Sequence, residues 1–438
     1  MTSGAWRSPS FRLLVVGQGV SSVGDGVAPV ALSFAVLELT GSVRDLGVVL
    51  AARSLPLVVF VLAGGVLADR LPRKVVMLAS DLVRGGVQAA CAVLLLSGVA
   101  HVWELAALQA VYGAARAFFG PASTGIVPEL VGAEDLQEAN SLMGVAENLA
   151  SIIGPALGGV LVVASSAGWG LAFDAVAFVI SAVSLQLMHL ADVTRPVRRS
   201  AVTELREGWR AFAGRTWLWT SVAALPLILM VVSAPLDVLG PEVARAHLGG
   251  AGAWAAIGTA MGVGAALGGA VGFRWHPRFP LRVAFLLPIA GEPALLFLLA
   301  RHELLWLIIA FGLIAALGST VFNVLWFTAL QREVPAGELS RVSSWDHLGT
   351  YVLEPIGLAL VGPVAIAIGI STTLYVGAGL SVLLTLAVLS VRAVRDFELS
   401  PLSDEEHALD PHVAAIAVHE FHSDSVTKPN PELGEELR

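Results

Sequence analysis

The chain has 438 residues, 56% of them hydrophobic and only 14% charged, against roughly a quarter charged in a soluble domain. That balance excludes an ordinary water-soluble protein and, at about 20 apolar residues per crossing, leaves room for a dozen membrane helices joined by short loops. The formal net charge of -8 is local: residues 395–438 hold eleven acids against Arg395, Lys428 and Arg438, and the rest of the chain is balanced, so no face carries the clustered positive charge that nucleic acid requires.

In chain order, Arg7 and Arg12 precede an apolar stretch running from Phe11 to about Leu39 and interrupted by Asp25. It is too long for the apolar core of a signal peptide, so it is expected to remain as a first helix. Apolar runs bounded by charge, Gly or Pro then predict helices over about 45–69, 74–98, 102–130, 139–165 and 168–191, and again over about 217–240, 251–274, 281–300, 303–329, 341–368 and 371–393. The expectation is an all-α polytopic membrane protein of twelve transmembrane helices arranged as two pseudo-symmetric six-helix bundles.

Counting Lys and Arg over the short loops puts eighteen on the side shared by both termini and three, Arg44, Arg245 and Arg301, on the other. The positive-inside rule therefore predicts that both termini are cytoplasmic, in a multi-pass protein of the cell membrane.

Residues 64–78, GGVLADRLPRKVVML, place Asp69, Arg70, Arg73 and Lys74 between two apolar runs. This reads as a tight cytoplasmic turn, its three cations holding topology and its carboxylate, at a helix end, wanting a cation or a helix N-terminus. Pro72 stiffens the turn.

Residues 192–216 form a charged linker in which TELREGWRAFAG can make a short amphipathic surface helix. The linker separates an N-terminal bundle, residues 1–191, from a C-terminal bundle, residues 217–394. GGVLADRLPRK at 64–74 aligns with GGAVGFRWHPR at 268–278, and ELVGAEDLQEANS at 129–141 aligns with REVPAGELSRVSS at 332–344, at nearly one offset. Two such matches argue for parallel duplication, an architecture used for alternating access. Phe273 stands where Asp69 stands, so the repeat has lost its acid. The tail, residues 395–438, is Pro-containing and acidic and reads as mostly disordered. Its four histidines lack any fixed geometry, so no metal site is expected.

Ionisable residues near the bilayer centre are costly enough to need a partner or a wet cavity. Asp25 falls near the middle of the first helix and Arg116 near the middle of the fourth. Paired, they could couple to protons by separating during a conformational change, or they could be a static pair fixing helix packing. Asp81 and Arg84, three residues apart, share a helix face and could satisfy each other or extend the turn's latch towards Asp69. Glu147, Glu292 and Glu354 are further membrane acids, the last two each followed by a proline that frees carbonyls and marks a kink. Arg53 could face a cavity or an acid on a neighbouring helix. Gly154, Pro155, Gly158 and Gly159, within GPALGG, allow close helix contact and a bend. Cys91 is the only cysteine, which excludes a disulfide or thiolate framework. No nucleophile-base arrangement or metal-ligand spacing points to an enzyme or a cofactor.

These residues carry a resemblance. Gly65 to Lys74 resembles the signature loop between the second and third helices of the major facilitator superfamily, and GPALGG resembles the antiporter signature of its drug-exporting members. Arg116 in YGAARAFFGPA is placed like the fourth-helix arginine of those exporters. GDG around Asp25, DLVRGG around Asp81 and Arg84, and ANSLMGVAEN together resemble the twelve-helix branch that includes macrolide efflux proteins and the enterobactin exporter. The resemblance implies that Asp69 latches a cytoplasmic gate formed with Gly65, Arg70, Arg73, Lys74, Asp81 and Arg84. It also implies that Arg116 belongs to a proton-coupling network, for which Asp25, Glu147 and Glu354 are the candidate acids read from the residues.

The function expected is a proton-driven exporter of amphipathic small molecules. It would work as a monomer in membrane lipid, with Phe118, Phe119, Phe322 and Trp326 lining the substrate cavity. The alternatives are an exporter of a single metabolite, such as a siderophore or self-made antibiotic, and a non-transporting receptor or scaffold.

Overall fold

The computed structural model describes residues 4–132, 135–189 and 208–399, with the side chains of 61–70, 336, 337 and 340 outside the description. Among the described residues thirteen long helices follow one another: α1 Pro9–Thr40, α2 Val43–Arg70, α3 Arg73–Leu96, α4 Val102–Ile126, α5 Leu136–Ala164 and α6 Ala167–Leu187. After the linker come α7 Thr216–Val243, α8 Ala251–Arg274, α9 Pro280–Ala300, α10 Leu305–Glu333, α11 Ala336–Tyr351, α12 Glu354–Ile368 and α13 Ile370–Ser390. They make twelve crossings, because α11 and α12 are two pieces of one. Pro355 lacks the N–H that would bond the Tyr351 carbonyl and its ring crowds that carbonyl, and the helix stops at Tyr351 and restarts at Glu354. Pro293, by contrast, is accommodated within a continuous α9.

Local chemistry sets the ends. Ser8 accepts a hydrogen bond from the Phe11 N–H ahead of Pro9 at the first helical position. Gly41 closes α1 at φ 65 and Gly369 turns the chain between α12 and α13 at φ 92, both in the left-handed region that glycine enters at little cost. Pro72 ends α2 and N-caps α3. The sixth helix stops at Leu187, short of the 191 expected.

Ten of the crossings are long and apolar enough to span a membrane on composition alone. The other two, α2 and α4, pack on each other so closely that a Cβ on Gly113 would overlap the Arg53 carbonyl oxygen. Apolar side chains such as Val93 and Leu383 face outward, 65% and 63% exposed, as a lipid-facing surface requires. Exposed tryptophans ring both ends: Trp103, Trp169 and Trp306 at the starts of α4, α6 and α10, and Trp209, Trp219 and Trp275 at the opposite, arginine-rich end. This is a multi-pass membrane protein.

Within the first half α1 packs on α5 and α6, and α3 on α4 and α6; within the second α8 packs on α10, α9 on α10 and α13, and α7 on α12 and α13. Two seams join the halves, α5 with α8 and α2 with α12. Both are close-packed: in the α5–α8 seam the added Cβ of Gly159 would overlap Ala255 and, at mid-helix, that of Gly262 would overlap the Ser151 carbonyl oxygen, and in the α2–α12 seam that of Gly47 would overlap the Leu358 carbonyl oxygen. The helix over residues 208–213 rests on α11, with Trp209 and Trp345 rings 4.9 Å apart. The earlier part of the linker and the acidic tail from residue 400 onward lie outside the described residues.

Candidate functional site

The polar interior of the first half is built on α1, α2, α3, α4 and α6. Asp25, in the middle of α1, accepts a hydrogen bond from the Tyr112 hydroxyl on α4. Arg53 on α2 lies 3.9 Å from one Asp25 oxygen and Arg84 on α3 lies 3.7 Å from the other. Arg53 also covers the Tyr112 ring at 4.1 Å, and Arg84 sits 4.2 Å from the centre of Phe119 and 4.4 Å from that of Phe178, so both cations gain from ring faces where water is scarce. Arg84 pairs with Asp81 at 2.5 Å, and Ser181 on α6 donates to the other Asp81 oxygen at 2.6 Å. Gln18 in turn donates to the Ser181 oxygen at 3.2 Å. Deeper still, Gln109 donates to Gln88, and Gln88 to Asp174, at 3.1 and 2.6 Å. Every one of these residues is costly alone in a membrane, and together they satisfy most of one another's polar atoms.

Arg53 and Arg84 are the cations within 4 Å of Asp25 among the described residues, and Arg116, the partner suggested by depth, acts on it across a shared cavity. Arg116 lines the same cavity, about 480 Å³, with Asp25 and Glu147. That cavity runs from mid-α1 to Thr124 near the end of α4 and Asn140 at the start of α5, that is, towards the arginine-rich end. A second cavity of about 320 Å³ carries Arg53, Asp237, Trp254 and Glu354 and ends at Leu358 in the α2–α12 seam. Arg116 and Leu57 line both. Arg116 therefore stands at the junction, with Asp25 and Glu147 of the first half on one side and Asp237 and Glu354 of the second on the other.

The turn residues separate into different tasks. Arg73 donates to the Gly125 carbonyl and pairs with Glu129 at 3.0 Å, tying the start of α3 to the end of α4. Lys74 donates to the carbonyls of Gln186 and Met188 at 2.9 and 2.7 Å, a cation placed on the C-terminal end of α6 where the helix dipole favours it. Gly65, Asp69 and Arg70 lie on α2 with their side chains outside the described residues. Asp81 and Arg84, grouped with this turn on the sequence, are instead buried with Asp25: Arg84 points inward along α3, because the outward path would leave its guanidinium in lipid. The repeat is visible in the chain ends, since α2 stops at Arg70 and α8 at Arg274, and Phe273, at the position of Asp69, is 80% exposed.

GPALGG serves two neighbours. Gly154 and Gly158 abut Gly26 and the Val27 backbone of α1, whereas Pro155 abuts Gly258 and Gly159 abuts Ala255 on α8. Among the aromatic candidates, Phe119 lines the Asp25 cavity and Phe322 lines a third cavity inside the second half. Phe118 stacks on Phe60, centroids 6.3 Å apart. Trp326 is 3% exposed and spends its indole N–H on Asp346 at 3.2 Å, so its role here is to satisfy a buried acid. Tyr112, Gln88 and Gln109 escaped notice on the sequence because neutral polar residues in apolar runs carry no charge signal. Their spacing from one another along α3 and α4 becomes meaningful only once the helices are paired.

A twelve-crossing helical carrier, with two halves meeting over charged midplane cavities, is the class of protein that this fold and site define. The Major Facilitator Superfamily family model matches residues 14–357, and the chain belongs to that superfamily. It is similar to the multidrug efflux pump Tap of Mycobacterium bovis, 26% identical over 91% of this chain and 97% of that protein. It is also similar to the enterobactin exporter EntS of Shigella boydii, 27% identical over 90% of this chain and 94% of that protein. Among solved structures, the nucleoside transporter NupG superposes with a TM-score of 0.68 at 13% identity, covering 87% of this chain and 98% of that one, which supports the fold alone.

Proposed function

We propose that the protein exports amphipathic small molecules in exchange for protons, by alternating access of two six-helix halves, residues 1–191 and 217–394. The observation that carries this reading is the position of Arg116, between a cavity holding Asp25 and Glu147 and one holding Asp237 and Glu354. A guanidinium shared between acids of both halves can change partner as the halves rock. Glu147 or Glu354, when Arg116 leaves it, becomes able to take a proton, because a buried carboxylate without a cation is favoured in its neutral form, whereas Asp25 keeps Arg53 and Arg84 beside it. The similarity to Tap supports export of drug-like compounds.

By the positive-inside rule the arginine-rich end is cytoplasmic, so the Asp25 cavity opens inward and the glycine seams close the outer end. Substrate enters from the cytoplasm or inner leaflet, and protons enter from outside as it leaves. Asp69 and Arg70 latch the inner end when the cycle closes it, and Arg73 and Lys74 anchor that turn to α4 and α6. The protein works as a monomer in the cell membrane.

A second reading, export of one metabolite of siderophore or antibiotic type, draws on the equally extensive similarity to EntS. Competition among compounds separates the two, since rescue by a single compound favours the narrow exporter. The test of coupling is efflux driven by a proton gradient in everted vesicles. Asp25→Asn or Arg116→Ala abolishes transport at normal protein levels, and unchanged efflux in both variants overturns the reading.

A further inference from the structure

The two halves use the duplicated loop differently at the arginine-rich end. In the first half Arg73 and Lys74 are spent on Glu129 and on the carbonyls of Gln186 and Met188. In the second, Arg278 stands where the duplication puts Lys74, and it pairs at 2.9 Å with Glu398, beyond the last crossing. Glu398 belongs to a segment that folds back after α13. Its helical turn, Arg392–Arg395, packs against α7 and α9, and Phe397 lies 5.0 Å from the Trp217 ring at the start of α7. Asp396 pairs with Arg395 at 2.9 Å and is held below the ordinary 3.8 first by that hydrogen bond and further by the fields of Arg395, Arg392 and Arg282. Four guanidiniums, Arg278, Arg282, Arg392 and Arg395, thus gather around two carboxylates, and Arg282 and Arg392 make no ion pair within 4 Å among the described residues. On the membrane side of this cationic excess the surface is apolar. Arg282 and Leu286 lie one turn apart on α9 and share a face, α13 packs beside α9, and Leu286, Leu383 and Leu386 are all exposed. Trp219 and Trp275 are exposed at the same end, where indoles meet lipid headgroups.

We propose that this patch, between the inner ends of α9 and α13, binds the headgroup of an anionic phospholipid, with Arg282 and Arg392 on its phosphate and the leucine faces of α9 and α13 along its acyl chains. A guanidinium presents parallel N–H donors that match phosphate oxygens, and basic clusters between membrane helices at the cytoplasmic end hold such headgroups. Apolar faces leading away from the cations suit a lipid and are of no use to an acidic peptide, so the acidic residues after 399 are the weaker occupant. The site is separate from the cavities at Asp25 and Arg116 and independent of what the carrier exports.

The experiment is native mass spectrometry of the purified, delipidated full-length protein in detergent, titrated with dioleoyl phosphatidylglycerol and with dioleoyl phosphatidylcholine, which has the same chains and no net charge. Wild type should bind its first phosphatidylglycerol at least about tenfold more tightly than its first phosphatidylcholine. Arg282→Gln with Arg392→Gln should weaken phosphatidylglycerol binding by at least about tenfold, at about fivefold per cation, and leave phosphatidylcholine binding unaltered. Arg7→Gln with Arg12→Gln removes two exposed cations at the same end of the first half and should leave both lipids bound as in wild type, which separates a site from a generally basic membrane surface. The proposal is overturned if wild type shows no preference for phosphatidylglycerol, the result expected if the acidic tail fills the patch. It is also overturned if the Arg282 and Arg392 variant binds phosphatidylglycerol as wild type does or loses both lipids equally, or if the Arg7 and Arg12 variant loses as much.

Discussion

The hydroxyl of Tyr112 on α4 donates to the carboxylate of Asp25 on α1, and the Arg53 guanidinium that approaches the same carboxylate also lies over the Tyr112 ring. One tyrosine therefore binds a buried acid by its edge and a buried cation by its face, and it holds α1, α2 and α4 in one arrangement. Tyr112→Phe removes the donor and keeps the ring. A hydrogen bond to a charged group is worth about 1.5 to 3 kcal/mol, so the variant should unfold at a lower temperature in detergent. Tyr112→Leu, which also removes the face under Arg53, should cost more. Equal unfolding temperatures for wild type and Tyr112→Phe would show that the hydroxyl contributes nothing to stability.

Arg84 is buried between two rings and two acids, and its removal leaves Asp81 and Asp25 short of a cation. Breaking a buried pair from one side costs about 3 to 5 kcal/mol, and Arg84→Met should fall in that range by chemical unfolding. Removing the paired charge as well, in Asp81→Asn with Arg84→Met, should recover most of the loss. A double variant no more stable than the single one would mean that Arg84 acts mainly through Asp25 and the rings.

The outer seam depends on the absence of side chains. Gly159 faces Ala255 with no room for a Cβ, whereas Gly86 on α3 has open space around it. Gly159→Leu should keep the seam from closing and lower efflux by more than about tenfold, since a misfit in a packed contact has no way to relax. Gly86→Leu should leave efflux near wild type. The single cysteine, Cys91, is buried, so cysteines introduced along the seam can report its opening by thiol labelling, and no increase in labelling of Gly159→Leu would count against this account.

His302, in the turn after α9, stacks on His247 with centroids 3.7 Å apart. Partial burial and then the neighbouring His247 hold its pKa below the ordinary 6.5. The folded state thus binds the proton less readily than the unfolded chain. The stability tied to neutral His302 is present above pH 6.5 and is lost as pH falls through the lower folded value. His302 has φ 54, a conformation that Asn also tolerates. His302→Asn should flatten the fall in melting temperature between about pH 7 and pH 5, and an unaltered pH profile would assign the acid sensitivity elsewhere.

The crossings were legible because each is a run of apolar residues with punctuation that acts locally. Gly41, Pro72 and Gly369 end or start helices within a few residues of where the charge and glycine pattern puts them. A kink at Pro355 was legible for the same reason, as proline's effect reaches only one turn back, but the crossing expected as one helix over about 341–368 is interrupted there. Pro293 shows the limit: the same Glu-Pro pair leaves α9 continuous, since the consequence of a freed carbonyl depends on the helix packed beside it.

What the amino-acid sequence determined is therefore the number of crossings, the duplication and which residues are charged at membrane depth. Each is a property of a segment of chain and follows from hydropathy and spacing. What only the tertiary structure decided is who meets whom. Asp25 finds Tyr112, Arg53 and Arg84, while Arg116 stands between the acids of two halves. Asp81 and Arg84 join the interior instead of the turn, and Glu292 lines a cavity inside the second half. Those outcomes depend on the rotation and pairing of helices far apart in the chain. One residue of register on an α-helix turns a side chain by about 100°, more than any hydropathy boundary can resolve.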